Sequence, residues 1–174
     1  EAIGYGCRKF IVCGGCGVLE KGLEVGHLVV VDGDVFDETN LNRQLLSSNI
    51  NLGKPKVLAA QQRMQAINPL VKVEAHQVML TEFNAPGLMQ GCDLVVDALD
   101  NIPSRMALIK VARDINIPLV HGAIAGWYGQ VTIVKPGDKE LEMLYESSPS
   151  EKGVEVEWGN LAFTASLIAS IQAS

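Results

Sequence analysis

Three short runs narrow what this chain can fold into more than any other feature. "KFIVCG" (Lys9–Gly14), "HLVVVD" (His27–Asp32) and "CDLVVDAL" (Cys92–Leu99) are apolar and β-branched with little alternation. A strand with one wet face alternates apolar and polar residues, whereas a strand covered on both faces does not. The three runs therefore call for a parallel sheet with helices on both sides. "VKVEAHQV" (Val71–Val78), "PLVHGAI" (Pro118–Ile124) and "GQVTIVKPGD" (Gly129–Asp138) read as further strands. "KVLAAQQRMQAIN" (Lys56–Asn68) carries Val57, Ala60, Met64 and Ile67 at helical spacing and is stopped by Asn68–Pro69. "SRMALIKVARDIN" (Ser104–Asn116) reads as a helix with Ser104 at its N-cap, and "LAFTASLIASIQAS" (Leu161–Ser174) as a closing helix. Asp138–Asn160 has many charges and no period, and reads as a long loop. The alternation predicts an α/β, Rossmann-like, doubly wound and mostly parallel sheet, with an antiparallel return near "GWYGQVTIV".

At 174 residues the chain suits one domain, and the whole of 1–174 is read as a single nucleotide-binding unit. Its formal net charge of −6 argues against a broad basic face for nucleic acid. No run approaches the roughly eighteen apolar residues of a membrane span, so no membrane partner is expected. The four cysteines, Cys7, Cys13, Cys16 and Cys92, sit near strands and turns rather than in a disulfide framework, which predicts a reducing, cytoplasmic location. The chain opens without Met and ends without a helix cap, so further residues are expected at both ends. Gly17 and Asp32 are 15 positions apart, short for a crossover that runs from a dinucleotide loop to its acid, and a segment is expected to be missing there.

"GGCG" (Gly14–Gly17) follows a strand, where glycines let a backbone approach phosphate; a tight turn also favours glycine. Asp32, at the end of the next strand, suits ribose hydroxyls, or else is a solvated strand end. Cys13 and Cys16 have no second pair for zinc or redox work, and Cys92 reads as a small core residue. "DETNLNRQ" (Asp37–Gln44) offers Asn40, Asn42, Arg43 and Gln44 close behind two aspartates, Asp32 and Asp34, and Lys56 opens the next helix. Arg43 presents a planar fork and Lys56 a point charge. They read either as a phosphate clamp or as a solvated basic pair beside a capping Asn. In "DALDN" (Asp97–Asn101), Asp97 and Asp100 have the hard oxygens magnesium takes, while Asp100–Asn101 equally suits a helix cap. His27, His76 and His121 form no ligand spacing and read as structural. Trp127 and Tyr128, set between glycines, read either as core or as an interface surface.

The succession "GGCG", "VVVDGDVFDETNLNRQ", "GKPK", "INP", "VVDALDN" and "GAIAGWYGQVT" resembles the ubiquitin-activating-like adenylyltransferases, the superfamily of the HesA, MoeB and ThiF proteins. The likeness runs from about Lys9 to Asp138, and its D-x-D, N-L-x-R-Q and G-x-x-K elements are far more specific than a glycine loop. It implies ATP with Mg2+, and adenylation of the C-terminal glycine carboxylate of a small ubiquitin-like carrier protein ending in Gly-Gly. Gly14, Gly15 and Gly17 would line the nucleotide loop. Asp32 would hold the ribose. Asp34, Asn40, Arg43, Gln44, Lys56 and Asn101 would belong to the nucleotide site, and Asp100 would bind magnesium. Catalysis would rest on Arg43, Lys56 and Asp100. The resemblance also implies a homodimer, with an arginine supplied by a partner subunit. Many relatives carry paired C-x-x-C zinc ligands, and some a cysteine in the later crossover. Neither pattern occurs after residue 100, so no structural zinc and no thioester or persulfide step is expected within these residues.

Other readings keep the sheet and change the chemistry. One activates a peptide or a modified tRNA base, which the acidic pI of about 5.0 disfavours in its tRNA form. A nicotinamide oxidoreductase has little use for Arg43, Gln44 and Lys56. A silent nucleotide-binding scaffold would not need them either.

Overall fold

The computed structural model describes residues 9–14, 26–146 and 155–174. Six strands form one sheet in the order β3-β2-β1-β4-β5-β6. They are β1 (Lys9–Gly14), β2 (His27–Val31), β3 (Lys72–His76), β4 (Leu94–Ala98), β5 (Leu119–Ala125) and β6 (Tyr128–Val134). All neighbouring pairs are parallel except β5–β6, which returns antiparallel as expected. From β1 the chain moves outward through β2 and β3, then restarts on the other side of β1 with β4. The reversal point lies between the C-terminal ends of β1 and β4, where open α/β sheets form a ligand crevice.

The apolar runs are buried on both faces. In β2, Leu28 and Val30 pack with Val73 and with Val57 and Ala60 of α1 (Lys56–Ile67), while Val29 and Val31 join Ile11, Cys13 and Val95 in the other core layer. That second layer is covered by α2 (Ala85–Met89), α3 (Ile102–Asp114) and α4 (Glu140–Glu146), which contribute Met89, Leu108 and Leu141. Each fully buried aliphatic side chain contributes roughly 1.5–3 kcal/mol relative to exposure. The last helices are α5 (Glu155–Trp158) and α6 (Ala162–Ala173), and α6 packs on β5 and β6. Cys92 lies in the core, as read from the sequence.

Two expectations are corrected and one open alternative is decided. The stretch from Asp138 to Asn160 is not simply a loop, since it contains α4 and α5. Glu140 and Glu142 favour the N-terminal turn of α4, and Leu141 and Tyr145, four apart, face the core. Two apolar contacts in seven residues gave too short a period to read. The cap of α3 is Asn101, not Ser104: Asn101 Oδ1 accepts from the Ser104 N–H at 2.9 Å, and Pro103 follows in the first turn. Trp127 and Tyr128 are not core; they are 78 % and 70 % exposed. They stand at the β5–β6 turn, where Gly126 takes φ 53° and a Cβ would crowd Trp158. Among the described residues, no helix is long and apolar enough to cross a membrane.

Candidate functional site

A cleft of about 320 Å³ opens at the C-terminal ends of β2, β4 and β5. Asp32 and Asp34 reach it from the end of β2, and Asp100 and Asn101 from the end of β4. Arg43 and Gln44 close it from the following loop, and Lys56 stands at the start of α1. The sequence-predicted clamp is therefore brought together from segments far apart in the chain. Gly14 pairs with Ala98, whose residue lines the cleft. Gly15, Gly17, Cys16 and the short first crossover lie outside the described residues.

The loop holding Arg43 is locally built. Thr39 N–H donates to Asp37 Oδ1 at 2.7 Å, and Asp37 N–H donates to Asn40 Oδ1 at 3.1 Å, a reciprocal cap on one 3-10 turn (Glu38–Asn40). The Arg43 and Gln44 N–H groups then bond the Asn40 carbonyl. Asn40 is buried and spends its side chain on this turn, and it does not line the cleft. Asn40 thereby supports the loop that carries Arg43 and Gln44. Arg43 Nη1 donates to the Thr39 carbonyl at 2.6 Å and to Asn42 Oδ1 at 3.1 Å. Both acceptors are neutral, so the guanidinium is oriented without losing its charge to a carboxylate.

Lys56 Nζ lies 3.0 Å from Asp34 Oδ2, and the Asp34 carbonyl accepts the first N–H of α1. The end of β2 thereby fixes both the lysine and the helix it opens. Asp34 N–H in turn donates to Asp32 Oδ1 at 2.8 Å. Gly33 between them packs so tightly that a Cβ would meet Met79 Sδ at 2.5 Å. Burial raises the Asp32 carboxyl above its usual value, with the charges of Asp34 and Asp100 adding to it; the Asp34 N–H and Lys56 pull the other way.

Among the described residues, no three His, Cys, Asp or Glu side chains form a group able to hold a metal alone. Magnesium is commonly held by one or two carboxylates together with substrate phosphates and waters. Exposed Asp100, beside Asp32 and Asp34 on the same rim, fits an ion that arrives with a nucleotide. Asp97 does not fit: it is fully buried and bonded to Arg105 and His121, so its expected share in a metal site is withdrawn. Asn101 lines the cleft, although its Oδ1 is committed to the α3 cap.

Sequence reasoning missed two contributors. One is the face of α6, where Ser166, Ser170 and Gln172 line the cleft; Gln172 Nε2 donates to the carbonyls of Asp97 at 2.8 Å and Val120 at 3.2 Å. The other is the buried set of Asp97, Arg105 and His121. A signal for it existed: Asp97 shares a strand face with Val95, and Arg105 lies on the stripe of Leu108, Ile109 and Ala112.

Residues 4–174 match the ThiF family. The chain is 47% identical over 109 residues to the "sulfur carrier protein adenylyltransferase" of Thermus thermophilus, covering 63% of this chain and 40% of that protein. It is 40% identical over 125 residues to the "SAMP-activating enzyme E1" of Haloferax volcanii, covering 72% of this chain and 46% of that protein. The chain thus spans less than half the length of these curated relatives. A solved structure of the E. coli tRNA N6-threonylcarbamoyladenosine dehydratase TcdA in complex with ATP superposes with a TM-score of 0.74 at 22% identity, over 95% of this chain and 82% of that one. At that identity it establishes the Rossmann-like α/β fold alone.

Proposed function

We propose, from the premise that the chain belongs to the ThiF family, that it is the adenylation domain of an ATP-dependent adenylyltransferase. Its acceptor is the C-terminal glycine carboxylate of a small ubiquitin-like carrier protein. The observation that carries the reading is the convergence of Arg43, Gln44 and Lys56 with Asp32 and Asp100 on one cleft. A nicotinamide site needs the acid and no such cations. The likeness to a sulfur carrier protein adenylyltransferase and a SAMP-activating enzyme favours a protein acceptor. The net charge of −6 weighs against a tRNA acceptor.

In this mechanism Asp32 accepts hydrogen bonds from the ribose hydroxyls. Arg43 and Gln44 take phosphate oxygens, and Lys56, released in part from Asp34, adds a point charge. Asp100 is the residue that would hold magnesium, which supplies charge neutralisation on the phosphates when bound. The carrier carboxylate attacks the α-phosphorus in line. The bond from that phosphorus to the bridging oxygen breaks, giving an acyl-adenylate and pyrophosphate. The protein positions the reactants and offsets developing negative charge, with no covalent step of its own. A homodimer and a reducing, cytoplasmic setting belong to the same proposal. The exposed pairs Trp127–Phe163 and Tyr128–Trp158 support an interface of some kind.

The test is exchange of labelled pyrophosphate into ATP by the intact protein, with and without a carrier ending in Gly-Gly. Exchange that requires the carrier and is lost when its last glycine is removed is the expected result. Exchange indifferent to the carrier would reject the protein acceptor.

A further inference from the structure

Asp97 stands three residues before Asp100, yet the two live in opposite surroundings. Asp97 is 0 % exposed. Its Oδ2 accepts from Arg105 Nε at 3.0 Å and lies 2.7 Å from His121 Nδ1. Its Oδ1 accepts the Leu99 N–H at 3.0 Å. Arg105 also donates through Nη2 to the Leu99 carbonyl and through Nη1 to the Tyr145 hydroxyl at 3.1 Å. Both backbone polar groups of Leu99 are therefore held by one buried ion pair.

The need for this follows from the ladder. The pairing of β4 with β1 ends at Ala98, opposite Gly14, and its pairing with β5 ends at Asp97, opposite His121. Leu99 lies beyond both, half-buried, and a buried backbone N–H or C=O without a partner is costly. Asp97 and Arg105 supply the partners that the sheet no longer provides. On the far side of Asp100, Asn101 is fixed by capping α3. His121 completes the set. Its Nε2 faces Gln130 Nε2 at 3.1 Å and the Tyr145 hydroxyl at 3.2 Å. A buried ion pair is weak evidence for stability, since apolar residues of similar volume often serve as well. What apolar residues cannot do is bond the Leu99 peptide.

We infer that Asp97, Arg105 and His121 form a positioning unit that sets the Leu99–Asp100 backbone, and through it the direction of the Asp100 carboxylate in the cleft. The inference rests on the proposed role of Asp100 toward nucleotide-bound magnesium. Arg105 is a positioning residue that acts through the Leu99 carbonyl and the Asp97 carboxylate.

The test measures ATP binding by the intact protein across a magnesium series, for the wild type, Arg105→Lys, Asp100→Asn and the double variant. Arg105→Lys is expected to raise the magnesium concentration for half-maximal binding about 10-fold, the scale of losing a group that orients a metal ligand. Because Arg105 acts through Asp100, the double variant is expected to need no more magnesium than Asp100→Asn alone. His121→Asn, which leaves the ion pair in place, is expected to shift the requirement in the same direction by less, and serves if Arg105→Lys fails to fold. An unchanged magnesium requirement in the folded variants, or effects that multiply in the double variant, overturns the positioning unit while leaving ATP binding intact. Wild-type binding indifferent to magnesium would instead overturn the role of Asp100, and this inference with it.

Discussion

Two strand ends in this sheet carry the same kind of sequence and do different work. β2 runs into Asp32-Gly-Asp34, and β4 runs through Asp97 to Asp100. At the end of β2 the acids line the cleft, and the cation they meet, Lys56, lines it too. At the end of β4 the first acid points inward to Arg105 and His121, and the second is left at the surface. Position along the strand decides this: Asp97 is still inside β4, while Asp32 and Asp34 lie past the end of β2. Asp97 alternates with Val95 into the core, whereas Asp32 falls one residue past β2. An acid placed inward can organise a loop, and an acid placed outward can meet a ligand.

The sharpest way to break this comparison is Asp97→Ala. Removing it leaves Arg105 buried without its partner, and an expected loss of about 3–5 kcal/mol in urea unfolding follows. Asp100→Ala is expected to stay within about 0.5 kcal/mol of wild type, as for other exposed substitutions. Equal costs would mean that the two acids are not divided as described.

Arg43→Ala probes the cleft side. Carrier-dependent pyrophosphate exchange is expected to slow by about 10²–10³, the scale of losing one preorganised charge-stabilising donor. Its urea midpoint should barely move, because the guanidinium bonds only its own loop. A large loss of stability with little loss of rate would assign Arg43 to structure instead.

Asp32 gives a pH signature. Burial first, then the charges of Asp34 and Asp100, hold its carboxyl above the usual 3.8. The folded chain keeps that proton to a higher pH than the unfolded chain does. The contribution to stability is therefore full below pH 3.8 and is lost as pH rises through the folded value. Asp32→Asn is expected to unfold at higher urea than wild type at neutral pH, with the gain absent below pH 3.8. A less stable variant at neutral pH would contradict the sign.

Glu74, on the edge strand β3, is the mild case. Lys72 first, helped by His27, holds its carboxyl down to about 2. Its stabilisation is present above 4.5 and is lost as pH falls toward 2. The side chain is 38% exposed, so solvent screening limits Glu74→Gln to about 0.5 kcal/mol at neutral pH.

Much of this molecule was legible in the chain. The unbroken apolar runs predicted a sheet buried on both faces, and their polar ends marked where a ligand would sit. That Arg43, Gln44 and Lys56 would meet at one cleft was legible because their charges and amides had no core to enter. The capping role of Asn40 was legible only as an alternative, because a capping amide and a ligand-binding amide are the same residue type. Asp97 was misread because its partners lie 8 and 24 positions away, and only its alternation with Val95 hinted at burial. α4 was hidden because one buried leucine and one tyrosine make too short a pattern. The exposure of Trp127 and Tyr128 depended on the hairpin turn at Gly126, which composition alone does not reveal.

In the proposed function the cleft holds ATP through Arg43 and its neighbours. Calorimetric titration of the intact protein with ATP, with and without magnesium and alongside NAD, tests it most directly, repeated with Arg43→Ala. ATP binding is expected to require magnesium and to weaken at least several-fold in the variant, with no heat from NAD. Binding of NAD in place of ATP would contradict it and return the cleft to dinucleotide chemistry.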